Sequence, residues 1–346
     1  MSSIADDDCF FHKKTAKGEV YALLYTDDMI LTGSDEEAIK QLHQQLAGEF
    51  KCHDLDLLDW FCGIHFSRNE DGDVTMSQTQ HIQKMLEELG MQNCKTYKTP
   101  MAEKEELTAC PEPKPEHVKL MQKAAGHCLF LAIWTRPDIA YAVSTLCRFA
   151  TCPDERHIRA MSRLIGYLKY TAELGITYSR NPKLADRNQV FMYSDASYAR
   201  DPISRKSQFG WAAIMNDAAI SWRSKLFART CLSIMEAEYI GLAGAAQEAM
   251  YLLKLQRNAK MSDVKPIQIY CDNEAACSIA KDPTFREKSR HVETRFHFVR
   301  DLHEVKDIDV QSVAGAENCS DQFTKPLGYF LFDKFRERLH NQMAAD

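Results

Sequence analysis

The sequence has no long apolar run. Nothing in it approaches the roughly 20 consecutive apolar residues that a membrane-spanning helix needs, so no membrane partner is expected. It has no basic excess either: 43 Lys and Arg stand against 49 Asp and Glu, for a net charge of −6. That balance argues against a protein that holds nucleic acid by overall charge, although carboxylates that bind cations would reverse the field locally. The 12 cysteines contain no Cys-x-x-Cys pair and no cluster with zinc-ligand spacing. In 346 residues they are too sparse for a disulfide scaffold, and they fit a reducing cytosolic or nuclear compartment. The acidic start, Asp6 to Asp8, is unlike a secretory leader. Internal repeats and low-complexity tracts are absent as well.

What is present is the balance of a globular chain, 45% hydrophobic and 27% charged, with a length that predicts two or three domains. Val20 to Tyr25 and Met29 to Gly33 are apolar runs of strand length around Thr26-Asp27-Asp28, which predicts a hairpin. Asp35 or Ser34 can cap a helix over Glu36 to Phe50, with Ile39, Leu42, Leu46 and Phe50 on one face. Strands are expected at 59–68 and 73–77, then a helix over 78–89 closed by Gly90. Pro100, Pro111, Pro113 and Pro115 mark a linker. A helical block follows from Val118 to about Ala172, which Pro137 should break into two or three helices. A short strand is expected at 175–178.

From Gln189 onward the pattern changes to βββαβααβα. Strands are expected at 189–194, 209–215, 219–222, 267–271 and 308–313. Helices are expected at 233–259, 273–280 and 293–305, with a last one beginning at Ser320. Asp195 and Asp272 each directly follow a strand-like run. In an α/β sheet, ligands gather beyond the carboxyl ends of strands, so two such aspartates meet if their strands are neighbours. Glu238 lies in the first turns of the long helix and Asp321 near the start of the last one. Four converging carboxylates repel unless cations neutralise them. All-oxygen ligands suit Mg²⁺ or Mn²⁺, and two such ions roughly 3.5–4 Å apart can cleave a phosphodiester. Taken singly, each of these acids reads first as a helix cap or a turn residue; the set of four in this order of elements is what points to a shared site.

The motifs carry a resemblance. Tyr193-Ser194-Asp195-Ala196-Ser197, Glu236-Ala237-Glu238-Tyr239, Cys271-Asp272-Asn273, His291 to Phe298 and Ser320-Asp321-Gln322-Phe323-Thr324-Lys325-Pro326-Leu327 resemble the ribonuclease H part of the pol polyprotein of copia-type long-terminal-repeat retrotransposons. Tyr25-Thr26-Asp27-Asp28 is similar to the Tyr-x-Asp-Asp hairpin of reverse transcriptases, and Phe61 to Ile64 and Arg136 to Val143 match the later palm and connection regions. The resemblance implies an α/β fold. A ribonuclease H-like domain, a mixed five-stranded sheet with helices, would follow a partial reverse-transcriptase palm and connection region. The boundaries expected are palm 1–100, linker 101–117, helical connection 118–188, ribonuclease H-like domain 189–328 and C-terminal tail 329–346.

The resemblance also implies an activity: hydrolysis of the RNA strand of an RNA–DNA hybrid by two Mg²⁺ or Mn²⁺ ions held by Asp195, Glu238, Asp272 and Asp321. Glu238 is preferred to Glu236 because related enzymes have a small residue three positions after the glutamate, and Gly241 supplies it; Glu236 then reads as a capping residue. Arg286, Lys288, Arg290 and Arg295 are candidate phosphate contacts, or equally a solvated helix start. The loop at 314–318 lacks the histidine that aids product release in cellular relatives, and His291 and His297 read as ordinary helix residues. Asp27 and Asp28 would be metal ligands of a polymerase remnant. A further palm aspartate and the fingers are expected upstream, so DNA synthesis by this chain alone is not expected, and the missing part of the polyprotein is a candidate partner. The compartment implied is a cytoplasmic virus-like particle or the nucleus. The competing reading is a degenerate or co-opted fragment that binds nucleic acid or protein without turnover.

Overall fold

The computed structural model describes residues 2–4, 7–104, 107–261, 264–281 and 293–342. The chain divides into two compact units: Met1–Cys62 with Met250–Val264, and Gly63–Ala249 with Lys265–Asp346.

In the first unit, β1 (Ser2–Ile4), β2 (Asp7–Lys14), β3 (Glu19–Tyr25) and β4 (Asp28–Gly33) form an antiparallel sheet in that order. Tyr25 pairs with Asp28, so the hairpin loop is Thr26-Asp27. Its tightness forces Thr26 to φ +53°, unusual for a β-branched residue. Helix α1 (Glu36–Glu49) starts where expected: the Asp35 carboxylate accepts the Ala38 N–H at 3.1 Å and the Thr15 hydroxyl at 2.6 Å. No α1 residue is buried, and Phe50 after it is 65% exposed. The β2 strand was not foreseen, because its polar and charged residues hide the alternation. The unit also contains β5 (Trp60–Phe61).

The second unit opens with β6 (Ile64–Arg68) and β7 (Val74–Ser77), then α2 (Thr79–Glu88). Helix α3 (Pro115–Trp134) has its proline at the first turn, where no N–H is missed. Pro137 ends that run as expected. A 3₁₀ turn follows at Pro137–Ile139, then α4 (Ala140–Cys147) and α5 (Glu155–Tyr170). A reciprocal cap starts α5: Asp154 accepts the Arg156 and His157 N–H groups, and the His157 ring accepts the Asp154 N–H at 3.0 Å. Strand β8 (Ile176–Tyr178) pairs antiparallel with β7.

The remaining strands are β9 (Phe191–Ser197), β10 (Gln208–Met215), β11 (Ala218–Leu226), β12 (Ile267–Cys271) and β13 (Ile308–Ser312). They form a mixed five-stranded sheet in the order β11-β10-β9-β12-β13, as the fold class expected. The first three are antiparallel, and β12 is parallel to both β9 and β13. Helix α6 (Ile234–Asn258) lies against β9 and β10 through Gly241 and Gly244, where a β-carbon would come within 3.2–3.4 Å of Ala196 and Phe209 side chains. Helices α7 (Glu274–Lys281) and α8 (Glu293–Glu304) follow.

Two differences from the sequence reading concern the end of the chain. The turn at Cys319–Phe323 is 3₁₀ and does not grow into a helix, since Pro326 lies just beyond it. The segment 329–346, read as a tail, contains α9 (Tyr329–His340), whose Phe332, Phe335 and Leu339 join the core with Tyr167 and Phe323. At the centre of the helical region, Arg136 is fully buried. It donates to both Asp138 oxygens at 2.9 and 2.8 Å and to the Thr171 carbonyl at 3.0 Å. His340 of α9 meets the same aspartate at 3.1 Å.

Candidate active site

The sheet register builds the site. Cys271 of β12 sits beside Ser194 of β9 in parallel register, so Asp272, the next residue, emerges beside Asp195. Asp195 lies within β9 and does not end it, because β10 continues the pairing through Gln208 and Ser197. Gly210 stands opposite Asp195 on β10. Over these strands lies the 3₁₀ turn carrying Asp321. Asn318 pins it there: its amide donates to the Ser194 carbonyl at 3.0 Å, while its own oxygen accepts from Ser320. From the other side, α6 delivers Glu238, one oxygen of which accepts the Ala196 N–H at 3.1 Å.

The result is two overlapping groups of side chains. Asp195, Asp272 and Asp321 place one potential ligand atom each within 4.8 Å of one another, and so do Glu238, Cys271 and Asp272. Asp195, Glu238 and Asp321 are buried and Asp272 is partly so. Burial, then the charges of Asp321 and Asp272, push the Asp195 carboxyl up to about 7. Burial, then Asp195 and Asp272, push Glu238 up to about 9. Burial and Asp321 also raise Asp272. Desolvated carboxylates that resist ionisation together are the donor set that hard divalent cations neutralise, so the residues fit Mg²⁺ or Mn²⁺. Cys271 adds one softer donor on the Glu238 side.

Glu236 takes no part in either group. Its carboxylate accepts the Leu232 N–H and its own N–H donates to Ser233 at 3.1 Å, a capping arrangement. Asp27 and Asp28 lie exposed in the first unit and join no group of three potential ligands among the described residues. Arg286, Lys288, Arg290 and His291 fall outside the described residues, and of Arg295 only the helical backbone is described.

Sequence reasoning gave no role to two neighbours. The Thr324 hydroxyl donates to Asp195, and Lys325 places its ammonium 2.7 Å from Asp321. The i,i+4 spacing of Asp321 and Lys325 was a readable signal for the second contact. Gly210 was also passed over. A β-carbon there would come 2.2 Å from that of Phe323 and 2.9 Å from the Arg223 carbonyl oxygen. Only glycine lets the Asp321 turn close on the strand. Gly210→Ala should therefore lower stability by about 1–3 kcal/mol, read as an earlier urea midpoint; an unchanged midpoint would mean that the turn can shift at no expense.

The chain is similar to known proteins in sequence and in structure. The family model "Reverse transcriptase (RNA-dependent DNA polymerase)" matches residues 3–103. The Pol polyprotein from transposon RE1 of Arabidopsis thaliana is 30% identical over 339 residues, 98% of this chain and 23% of that protein. The corresponding protein of transposon TNT 1-94 from Nicotiana tabacum is 29% identical over 96% of this chain and 25% of its own length. The chain thus spans about a quarter of the length of these relatives. A solved ribonuclease H1, LC11-RNase H1 isolated from compost, aligns with 40% of this chain and 93% of that one, at 15% identity and a TM-score of 0.31.

Proposed function

Because the chain belongs to the pol polyprotein family of copia-type retrotransposons, we propose that it hydrolyses the RNA strand of RNA–DNA hybrids at the Asp195, Glu238, Asp272 and Asp321 cluster. The observation that carries this reading is the approach of Asp195, Asp272 and Asp321 to within 4.8 Å, with Glu238 beside Asp272. Two ions, Mg²⁺ or Mn²⁺, would be held by these carboxylates, and when bound they supply an activated water and stabilise the leaving oxygen. The protein's own part is positional. Thr324 fixes one oxygen of Asp195, the Ala196 N–H fixes one of Glu238, and Asn318 ties the Asp321 turn to β9. Three separate elements thereby hold their acids at one point before substrate arrives.

The family and the charge both support this substrate. A chain at −6 gains little from the phosphates as a whole. Recognition then rests on helix shape and the 2′-hydroxyl, with Arg286, Lys288, Arg290 and Arg295 as phosphate contacts. The functional division is a partial palm at 1–100, a linker at 101–117, a helical connection at 118–188 and the ribonuclease H-like domain at 189–328. Asp27 and Asp28 belong to the palm, which acts with the rest of the polyprotein, in a cytoplasmic particle or the nucleus.

The test is a labelled hybrid incubated with the full chain and Mg²⁺. RNA cleavage should appear, stop with a chelator, and be lost in Asp272→Asn. Hybrid binding without cleavage by the wild-type chain would favour the non-catalytic fragment instead.

A further inference from the structure

Lys325 stands four residues after Asp321, and the turn between them brings its Nζ to 2.7 Å from Asp321 Oδ1. The two side chains differ in access: that of Asp321 is 9% exposed and that of Lys325 40%. The ammonium therefore reaches in from the rim toward an acid that is itself enclosed. The same Asp321 carboxylate belongs to the group of potential ligand atoms with Asp195 and Asp272. A single positive charge is thus tethered where a divalent cation would also have to sit. Its influence extends past its direct partner, since the Lys325 charge works to lower Asp195, Glu238 and Asp272 alike.

We propose that Lys325 is the built-in counter-ion of the cluster, a positioning residue that holds Asp321 while no divalent cation is bound and yields it when one is. The proposal rests on the cation site proposed above and adds a property to it: Lys325 competes with the metal and so sets its affinity. An ammonium and a divalent cation at one carboxylate repel each other. Either the lysine turns outward through its mobile stem, or the ion binds more weakly. The half-exposed stem gives it room to do the first.

The test compares the full-length wild type with Lys325→Met, Lys325→Arg and Asp195→Asn, with Mn²⁺ as the probe and free Mn²⁺ followed by electron paramagnetic resonance. Lys325→Met should bind Mn²⁺ about tenfold more tightly than the wild type, while Lys325→Arg stays near it. In thermal melts, Lys325→Met should be less stable than the wild type in EDTA and equal to it at saturating Mn²⁺. A purely structural role would leave the deficit in both conditions and would overturn the proposal. Unchanged or weaker Mn²⁺ binding by Lys325→Met would overturn it too, while wild-type binding that exceeds that of Asp195→Asn keeps the cation site itself. If the wild type binds no more Mn²⁺ than Asp195→Asn, the cation site fails and the role of Lys325 with it.

Discussion

Asp138→Asn should lower the stability of the second unit by about 3–5 kcal/mol, the amount lost when one partner of a buried ion pair is removed. Arg136 and Asp138 are both fully enclosed, and the guanidinium meets the carboxylate through two parallel hydrogen bonds. The aspartate also accepts the Tyr167 hydroxyl and faces His340 of the last helix. Neutralising it leaves the guanidinium without a counter-charge in a place water does not reach. The pH dependence has a definite sign. Burial opposes the charge of Asp138, but Arg136 and then His340 outweigh it and hold the carboxyl well below the ordinary range. A depressed acid contributes stability above its unfolded value, near 3.9, and loses that contribution as the pH falls through its folded value. The wild type should therefore weaken in strong acid more steeply than Asp138→Asn. Urea titrations at pH 7 and in the acid range check both points; equal midpoints at pH 7 would show that the charge is not needed. A double change, Arg136→Met with Asp138→Leu, should recover much of the loss, because an apolar pair leaves no unpaired charge.

That cluster marks what a sequence conveys and what it withholds. Pro137 announced the helix break because a ring without an N–H acts on its own turn. The cap at Asp35 and the strand-terminal position of Asp272 were legible for the same reason: their causes lie within a few residues. The strands were legible in runs such as Val190 to Tyr193 and Ile267 to Cys271, whereas their union in one mixed five-stranded sheet was implied by the resemblance. The distant partners of this pair were not legible, since Thr171 lies 35 residues beyond Arg136, and His340, which faces Asp138, comes from the last helix, so that only packing unites them. The need for glycine at 210 is likewise tertiary, set by Phe323 from another element. Helix α9 was a different kind of omission. Phe332, Phe335 and Leu339 carry a readable helical period, but they lie beyond Leu327, where the motifs of the resemblance end. At the candidate site, the acids were visible as residues and their order as a motif. Thr324 and Lys325 lay inside the same motif, yet their contacts depend on how the 3₁₀ turn folds back over β9.

Asp195→Asn should move stability and cleavage in opposite directions. In the metal-free chain the site is a repulsive one: burial and two neighbouring carboxylates push Asp195 up to about 7, and burial with Asp195 and Asp272 pushes Glu238 up to about 9. An acid raised by folding binds its proton more firmly in the folded state. Stability then falls as the pH climbs from the unfolded value, near 4, to the folded one. The wild type in EDTA should accordingly lose stability from about pH 4 to 7 through Asp195, and onward to about 9 through Glu238. Asparagine keeps the shape and can still accept the Thr324 hydroxyl, but it carries no charge. It removes the first part of that loss, and it lessens the second because the charge of Asp195 also acts on Glu238. At pH 8 in EDTA the variant should be the more stable by on the order of 1–3 kcal/mol. Mg²⁺ should reverse the order, since an ion that binds only the folded wild type stabilises it in proportion to the logarithm of its concentration. Cleavage of the hybrid should fall by at least about 10²–10³-fold, the scale of losing one group that stabilises charge in the transition state. Melting curves with EDTA and with Mg²⁺, beside the cleavage assay, read all three effects. A variant less stable than the wild type in EDTA would mean that Asp195 is not held under repulsion. Equal cleavage by the two forms would remove Asp195 from the site.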